Sequence, residues 1–592
     1  VAKAVSAKGN SYINLSLVVP LADSDNTEVS GDVSFINSHL YKKTMPELAI
    51  EQVQGRLDFN NNGVTANKLT GQFLGQAVDV TVFPKNNATV IAANGSISSQ
   101  QLAKTWPEKM PDFIQGNAPY QLEVLVSERE IGDFYTDVTL KSDMKGMAVT
   151  LPVPLMKSND QIKNLKVVFH QSAKIPRYNL SYDNQFNLAV IPGQQDEAAF
   201  VEASLPELNV DKWSSWLEQR KPQGESPLST VATLTLTTDK LIGFGQQFSA
   251  VKVTAQQQKK SWQATITSPE ISGIVSIPEV ISNNNKLKVD LDKLILTLPQ
   301  ETNSIEKSQS ALWPAMVLNI ADLSIGGKRL GDFELDSNSE NNAWVIDQGQ
   351  LNSPVFQASI TKGRWSKLAT GDKTELSIKA ESNDFAGLLE KFGYQAAIEA
   401  KESKLNIALS WSGGPLAVSA QTLNGSLGFK LKKGKLNEVE PGAAGRVFGL
   451  MSIAAVPRRL ALDFNELFGK GLNFKAIRAD FSIADGQAIT DNFKLEGEAA
   501  EIEIKGPIDL VAQQYNQTVK VRPNVSSTLP LAGAVAGGPI GLGVGTAILL
   551  ADKLAGKLFD KNIVNLVSYN YKLTGAWQDP QLQSVGVALP QL

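Results

Sequence analysis

The sequence predicts a mainly β protein, an extended antiparallel sheet with a few helices near the C-terminus, on three observations. Apolar and polar residues alternate with period two over most of the chain, as strands with one apolar face do. Turn residues punctuate that alternation at short, fairly regular intervals, which fits hairpins rather than βαβ crossovers. Two stretches recur in outline, and repeated hairpins set side by side make an elongated, quasi-one-dimensional object.

The elements follow in order along the chain. Asn60-Asn61-Asn62-Gly63 is the first strong turn. Leu234 with Leu236, and Val251 with Val253, mark two one-faced strands. The turn Asn283-Asn284-Asn285 precedes a strand carrying Leu287, Val289 and Leu291. Leu405, Ile407 and Leu409 define the next, and Leu427, Phe429 and Leu431 another, with Lys433-Gly434 read as the turn after it. Phe481 and Ile483 lead into Asp485-Gly486, and Ile502 with Ile504 form a strand whose Glu501 and Glu503 occupy the solvated side.

The recurrence pairs Phe59–Val80 with Phe481–Ile504: an aromatic, a Gly turn, a strand carrying Thr, a Gly, then an alternating strand. Trp262–Ile277 and Trp344–Ile360 share a Trp strand and a Ser-Pro before the return strand. The expected organisation is an extended β region over 1–383, its continuation with interspersed amphipathic helices over 384–524, and a Gly-rich apolar helical segment with the final strands over 525–592.

Helical patterns gather in the C-terminal part. Asp384 is placed to cap a helix carrying Phe385, Leu388, Leu389 and Phe392, with Gly393 to end it. Pro441 opens a second, with Val447, Leu450, Met451 and Ala454 on one face, and Pro457 stops it. Arg458 and Arg459 follow, suited either to the helix C-terminal dipole or to lipid phosphate. Leu529–Leu558 carries no charge before Asp552, yet its prolines and glycines make a poor lone spanning helix. It reads as a helical hairpin that either caps the sheet or meets a membrane through Leu542, Val544, Ile548 and Leu549.

Composition removes most chemistry. The 592 residues contain no cysteine and two histidines, His39 and His170, which excludes thiol nucleophiles, disulfides, iron–sulfur clusters and most zinc sites. Neither histidine shows a carboxylate pattern nearby in sequence. A net charge of -4 supplies no field for a polyanion, so nucleic acid is not an expected partner. Gly541, Gly543 and Thr546 complete neither a dinucleotide fingerprint nor a P-loop. No cofactor, metal or catalytic residue is expected. Val1–Pro20 lacks the succession of a signal peptide, and the chain reads as a piece of a longer one.

The C-terminal residues resemble a known family. Val439–Phe468 (VEPGAAGRVFGLMSIAAVPRRLALDFNELF), Ile477–Gly506, Val525–Ile540 (VSSTLPLAGAVAGGPI) and Tyr571–Pro580 (YKLTGAWQDP) are similar to the AsmA-like C-terminal region of the YhdP family. Leu140–Leu155, Leu205–Leu217 and Val29–Val82 extend the similarity upstream. The resemblance implies a bridge-like lipid transfer protein related to AsmA and TamB, its sheet folded over into a hydrophobic groove across the periplasm of a Gram-negative bacterium. It implies phospholipid as cargo, moved from the inner to the outer membrane. Its C-terminal end would meet the outer membrane surface, and an N-terminal anchor missing from this chain would hold the inner one.

Physics makes that reading reasonable. About 35 to 40 strands at roughly 4.8 Å would extend on the order of 170 to 190 Å. Two acyl chains exposed to water cost on the order of 20 kcal/mol at about 0.8 kcal/mol per methylene, and an apolar trough removes most of that barrier. The alternating residues named above are then expected to line the groove. The same alternation could instead fill the core of a structural or adhesive β-solenoid.

Overall fold

A computed structural model describes residues 6–21, 27–42, 45–86, 88–105, 112–130, 133–171, 175–193, 198–219, 230–259, 261–297, 312–437, 472–524 and 568–588. These residues form thirty-one strands, numbered here in chain order, and three α-helices. They fall into two compact units, Val1–Pro269 and Glu270–Leu592.

The first unit runs from β1 (Ser6–Val18) to β16 (Ser261–Thr267) and is largely an antiparallel meander. The short β9 (Met147–Val149) leaves the main ladder to pair with the start of β7 (Ile114–Glu130), so β8 (Asp133–Ser142) pairs with β10 (Leu165–His170) instead. The second unit, β17 (Ile271–Pro278) to β31 (Gln581–Ala588), has the same meander.

The expected hairpins are present where turn chemistry demanded them. Asn60 pairs with Gly63, and Asn61 ties the turn down by accepting from Val29 N at 2.6 Å and donating to Thr27 O at 2.9 Å. Asp485 and Gly486 both have positive φ, 45° and 77°, the tight turn whose twist matches the flanking strands. The recurrence seen in sequence is one of layout. In both copies a tight turn leads into an 11-residue strand and then a 10-residue strand, 63–73 and 76–85 against 487–497 and 500–509.

Three expectations are corrected. Lys433-Gly434 is not a turn: both lie inside β25 (Asn424–Leu436), which keeps one register against its neighbour from Glu402–Lys432 to Ala400–Gly434 although Lys433 has a positive φ of 53°. The meander is not wholly antiparallel, because β13 (Ala199–Asn209) and β14 (Val231–Gly243) run parallel, as do β18 (Leu287–Leu296) and β19 (Met316–Ile325). Each parallel pair is separated by a connection long enough for a crossover, a signal that local alternation does not carry.

Helices are not confined to the C-terminal part either. α1 (Ser99–Thr105) and α2 (Val210–Glu218) lie in the first unit, too short for their period to stand out. α3 (Phe385–Lys391) is the helix expected from Asp384, whose carboxylate accepts from Gly387 N at 2.9 Å, with Gly393 at φ 83° ending it.

Candidate functional site

In each unit the dominant feature is an apolar face that can be followed strand by strand through the hydrogen-bond register. In the first unit a single row runs Phe35, Gly55, Leu69, Val80, Ala93, Leu122, Leu140, each the direct cross-strand partner of the next. It continues through Val167, Leu180, Leu188, Ala203, Leu236, Val253 and Ile266. Fourteen strands thus contribute one apolar or glycine residue each, over about 60 Å at roughly 4.8 Å per strand. The parallel step from β13 to β14 does not interrupt it, since Ala203 still faces Leu236.

The second unit repeats the arrangement. Val275, Val289, Leu318, Leu335, Gly349, Ile360, Ile378, Ile407, Leu427 and Phe481 are successive partners. A parallel row carries Leu431, Ile477, Leu495, Ile502, Val521, Tyr569 and Val587 to the last strand.

Burial differs along these rows. From Leu122 to Ile266 every residue of the row is only partly buried. In the C-terminal strands Ile477, Leu495, Ile502 and Val521 are inaccessible, within a cluster that also takes Phe385 and Leu389 of α3. Of the sequence-predicted residues, Leu234, Leu236, Val253, Leu287, Val289, Leu405, Ile407, Leu409 and Leu427 are partly buried, while Val251, Leu291, Phe429, Leu431, Phe481, Ile483, Ile502 and Ile504 are buried. The register joins Leu236 to Val253 and Leu405 to Phe429 as direct neighbours, and puts Ile407 against Leu427.

The opposite face is polar. Lys252, Lys288, Asp290, Lys404, Asn406 and Lys430 are exposed. Glu501 and Glu503 take this face as expected, both accepting from Arg522 Nη1 at 2.8 Å, with Lys494 at 2.8 Å from Glu501. Glu402 accepts from Lys433 at 2.6 Å and from Lys432 at 2.9 Å, two consecutive side chains reaching one carboxylate where Lys433 has a positive φ of 53°. Those two hydrogen bonds and the two charges bring its carboxyl pKa down to about 2.

His170 gains a carboxylate neighbour only through the fold: Asp137 is its cross-strand partner, with Nδ1 3.5 Å from Oδ2. The pair is part-exposed at a strand end. His39 stands 5.4 Å from the Tyr41 ring. Among the described residues, no three His, Cys, Asp or Glu side chains are grouped to hold a metal ion.

One edge of the first unit is elaborated. Lys157, almost inaccessible, donates from Nζ to Met147 O at 2.7 Å and Ser158 O at 2.8 Å, and burial lowers its pKa. Trp216 of α2 donates to Thr150 O at 3.1 Å, and the Tyr182 hydroxyl to Leu155 O at 3.3 Å. Leu140–Leu155, one of the upstream stretches similar to the family, runs into this loop, whose density of Pro and Met is its sequence signal.

Arg458, Arg459, Leu542, Val544, Ile548 and Leu549 lie outside the described residues, as do the second predicted helix and the Gly-rich segment. The strands flanking both stretches end at one edge of the second unit, with Leu436 paired to Leu472 and Pro523 paired to Ala500. No described helix is long and apolar enough to cross a membrane.

Comparison with known proteins follows the same extent. The family model described as YhdP protein matches residues 1–582. The intermembrane phospholipid transporter YhdP of Escherichia coli (strain K12) is 24% identical over 611 residues, covering 98% of this chain and 47% of that protein. The chain therefore spans about half the length of the curated relative that it matches. No solved structure matches it.

Proposed function

Since this chain belongs to the YhdP family, we propose that its apolar face carries phospholipid acyl chains between the inner and outer membranes. The observation that supports this reading most is the row from Leu122 to Ile266: direct cross-strand neighbours, apolar throughout, and none of them fully buried. A contiguous apolar strip left partly open is costly in water unless something apolar occupies it. Acyl chains lying on it would keep the favourable transfer of about 0.8 kcal/mol per methylene at every station, while head groups stay in water. Such a path needs no general acid, nucleophile or metal.

Within this proposal the sheet acts as a groove in the periplasm, delivery runs toward the outer membrane, and Leu542, Val544, Ile548 and Leu549 with Arg458 and Arg459 meet the membrane. A structural role with a self-filled core is the second reading, favoured locally by the inaccessible Ile477, Leu495, Ile502 and Val521.

Photoreactive residues separate the two. Placed at Leu236, Val289, Ile407 and Phe429, they are expected to capture phospholipid in cells; at the outward Lys288 and Lys430 they are not. Capture confined to the outward positions, or bound lipid absent from native mass spectra of the purified chain, would overturn the lipid path.

A further inference from the structure

We propose that Trp313 narrows the lipid path in the second unit, confining acyl chains to one half of the strand length across β18 to β22; this rests on the apolar face being that path. The argument begins with topology. Because β18 and β19 are parallel, the chain between Leu296 and Met316 has to return from one edge of the sheet to the other. Its described end, residues 312–315, comes down on the apolar face.

Trp313 stands edge-on to two indoles of that face, 5.0 Å from Trp344 and 5.7 Å from Trp365 between ring centroids. Trp344 and Trp365 are direct cross-strand partners in β21 (Ala343–Asn352) and β22 (Gln357–Leu368). The segment is pinned at two points: Trp344 Nε1 donates to Pro314 O at 3.2 Å, and Leu287 N donates to Ala315 O at 3.0 Å. Trp344 and Trp365 are 3% and 2% exposed beneath it.

The row from Val275 to Phe481 is aliphatic or glycine, Phe481 aside, whereas the neighbouring row runs Trp344, Trp365, Thr374 and Trp411. At one end of β21 and β22 the three indoles stand up into the space above the sheet. Next to them Gly349 and Gly363 carry no side chain of their own, and Ile360 and Ile346 lie across them, 2.7 Å and 2.6 Å from where a Cβ would be. Farther along β21, Leu351 belongs with Phe333, Ile320 and Leu291 to a second apolar cluster, which contains no indole. A chain sliding along the face therefore meets a wall on the tryptophan side and a low lane on the Leu351 side. Indoles suit such a wall because each presents about 150–250 Å² of rigid surface with few rotatable bonds.

The test uses the full chain with a small aliphatic diazirine residue at Leu236, Leu351 or Ile346, exposed to phospholipid in cells. Leu236 and Leu351 are expected to capture lipid, and Ile346 to stay at the background set by Lys288. In Trp313→Ala, capture at Ile346 is expected to rise to the level of Leu351, while Trp313→Phe keeps it low. Trp313→Leu, which preserves more volume, replaces the alanine variant if circular dichroism shows that one unfolded. Failure at Leu236 and Leu351 alike would remove the lipid path itself. Capture at those two with equal capture at wild-type Ile346, or an Ile346 that stays silent without the indole, would overturn the constriction alone.

Discussion

An aspartate placed at two stations of the apolar face is expected to have opposite consequences. Ile502 is inaccessible and its neighbours Leu495 and Val521 are equally so. Ile502→Asp forfeits about 1.5–3 kcal/mol of side-chain transfer and buries a carboxyl without a partner, for a total of about 5 kcal/mol or more. A unit of roughly 320 residues has an unfolding entropy near 0.7 kcal/mol/K, at about 2.1 cal/mol/K per residue, so melting should fall by about 7 °C. Leu236 lies on the partly open row, flanked by the equally open Ala203 and Val253. There the carboxylate keeps its water, and Leu236→Asp should cost about 1 kcal/mol, a shift of about 2 °C. Its effect should appear instead as loss of phospholipid from native mass spectra of the purified chain. The reasoning is refuted if Leu236→Asp melts as early as Ile502→Asp, since the first face would then be sealed, or if Leu236→Asp keeps its lipid.

Three further outcomes are expected. Gly331 sits at φ 132° with the Asn352 carbonyl where a Cβ would go, so Gly331→Ala should lower stability by about 1–3 kcal/mol, read from the urea midpoint. Lys157→Met keeps the stem but leaves the Met147 and Ser158 carbonyls without their ammonium donor. It should cost about 2 kcal/mol and speed amide exchange at Met147–Val149, and unchanged exchange would disprove the staple. Because the Glu402 pKa is depressed in the folded state, its contribution is present above the ordinary carboxylate range and lost as pH falls toward about 2. Melting temperature should accordingly fall less between pH 5 and 2 in Glu402→Gln than in wild type, by a small margin because the lysine pair is solvent-screened.

Much of the fold was legible because its determinants are local. Period two assigns Val289 to one face and Lys288 to the other whatever lies beyond the strand, and Asp485-Gly486 makes a tight turn from its own backbone preferences. Asp384 announced α3 for the same reason: cap and capped amide are three residues apart. Resemblance in the C-terminal motifs likewise pointed to the family that the whole-chain match shows. Non-local features were not legible. The continuation of a strand through Lys433-Gly434 and the parallel pairings of β13 with β14 and β18 with β19 depend on which partner strand is met, and alternation is blind to the partner. Whether a face is covered depends on atoms far away in sequence. Leu236 and Ile502 carry the same alternating signature, yet one is partly open and the other inaccessible, because only the folded chain decides what packs over each.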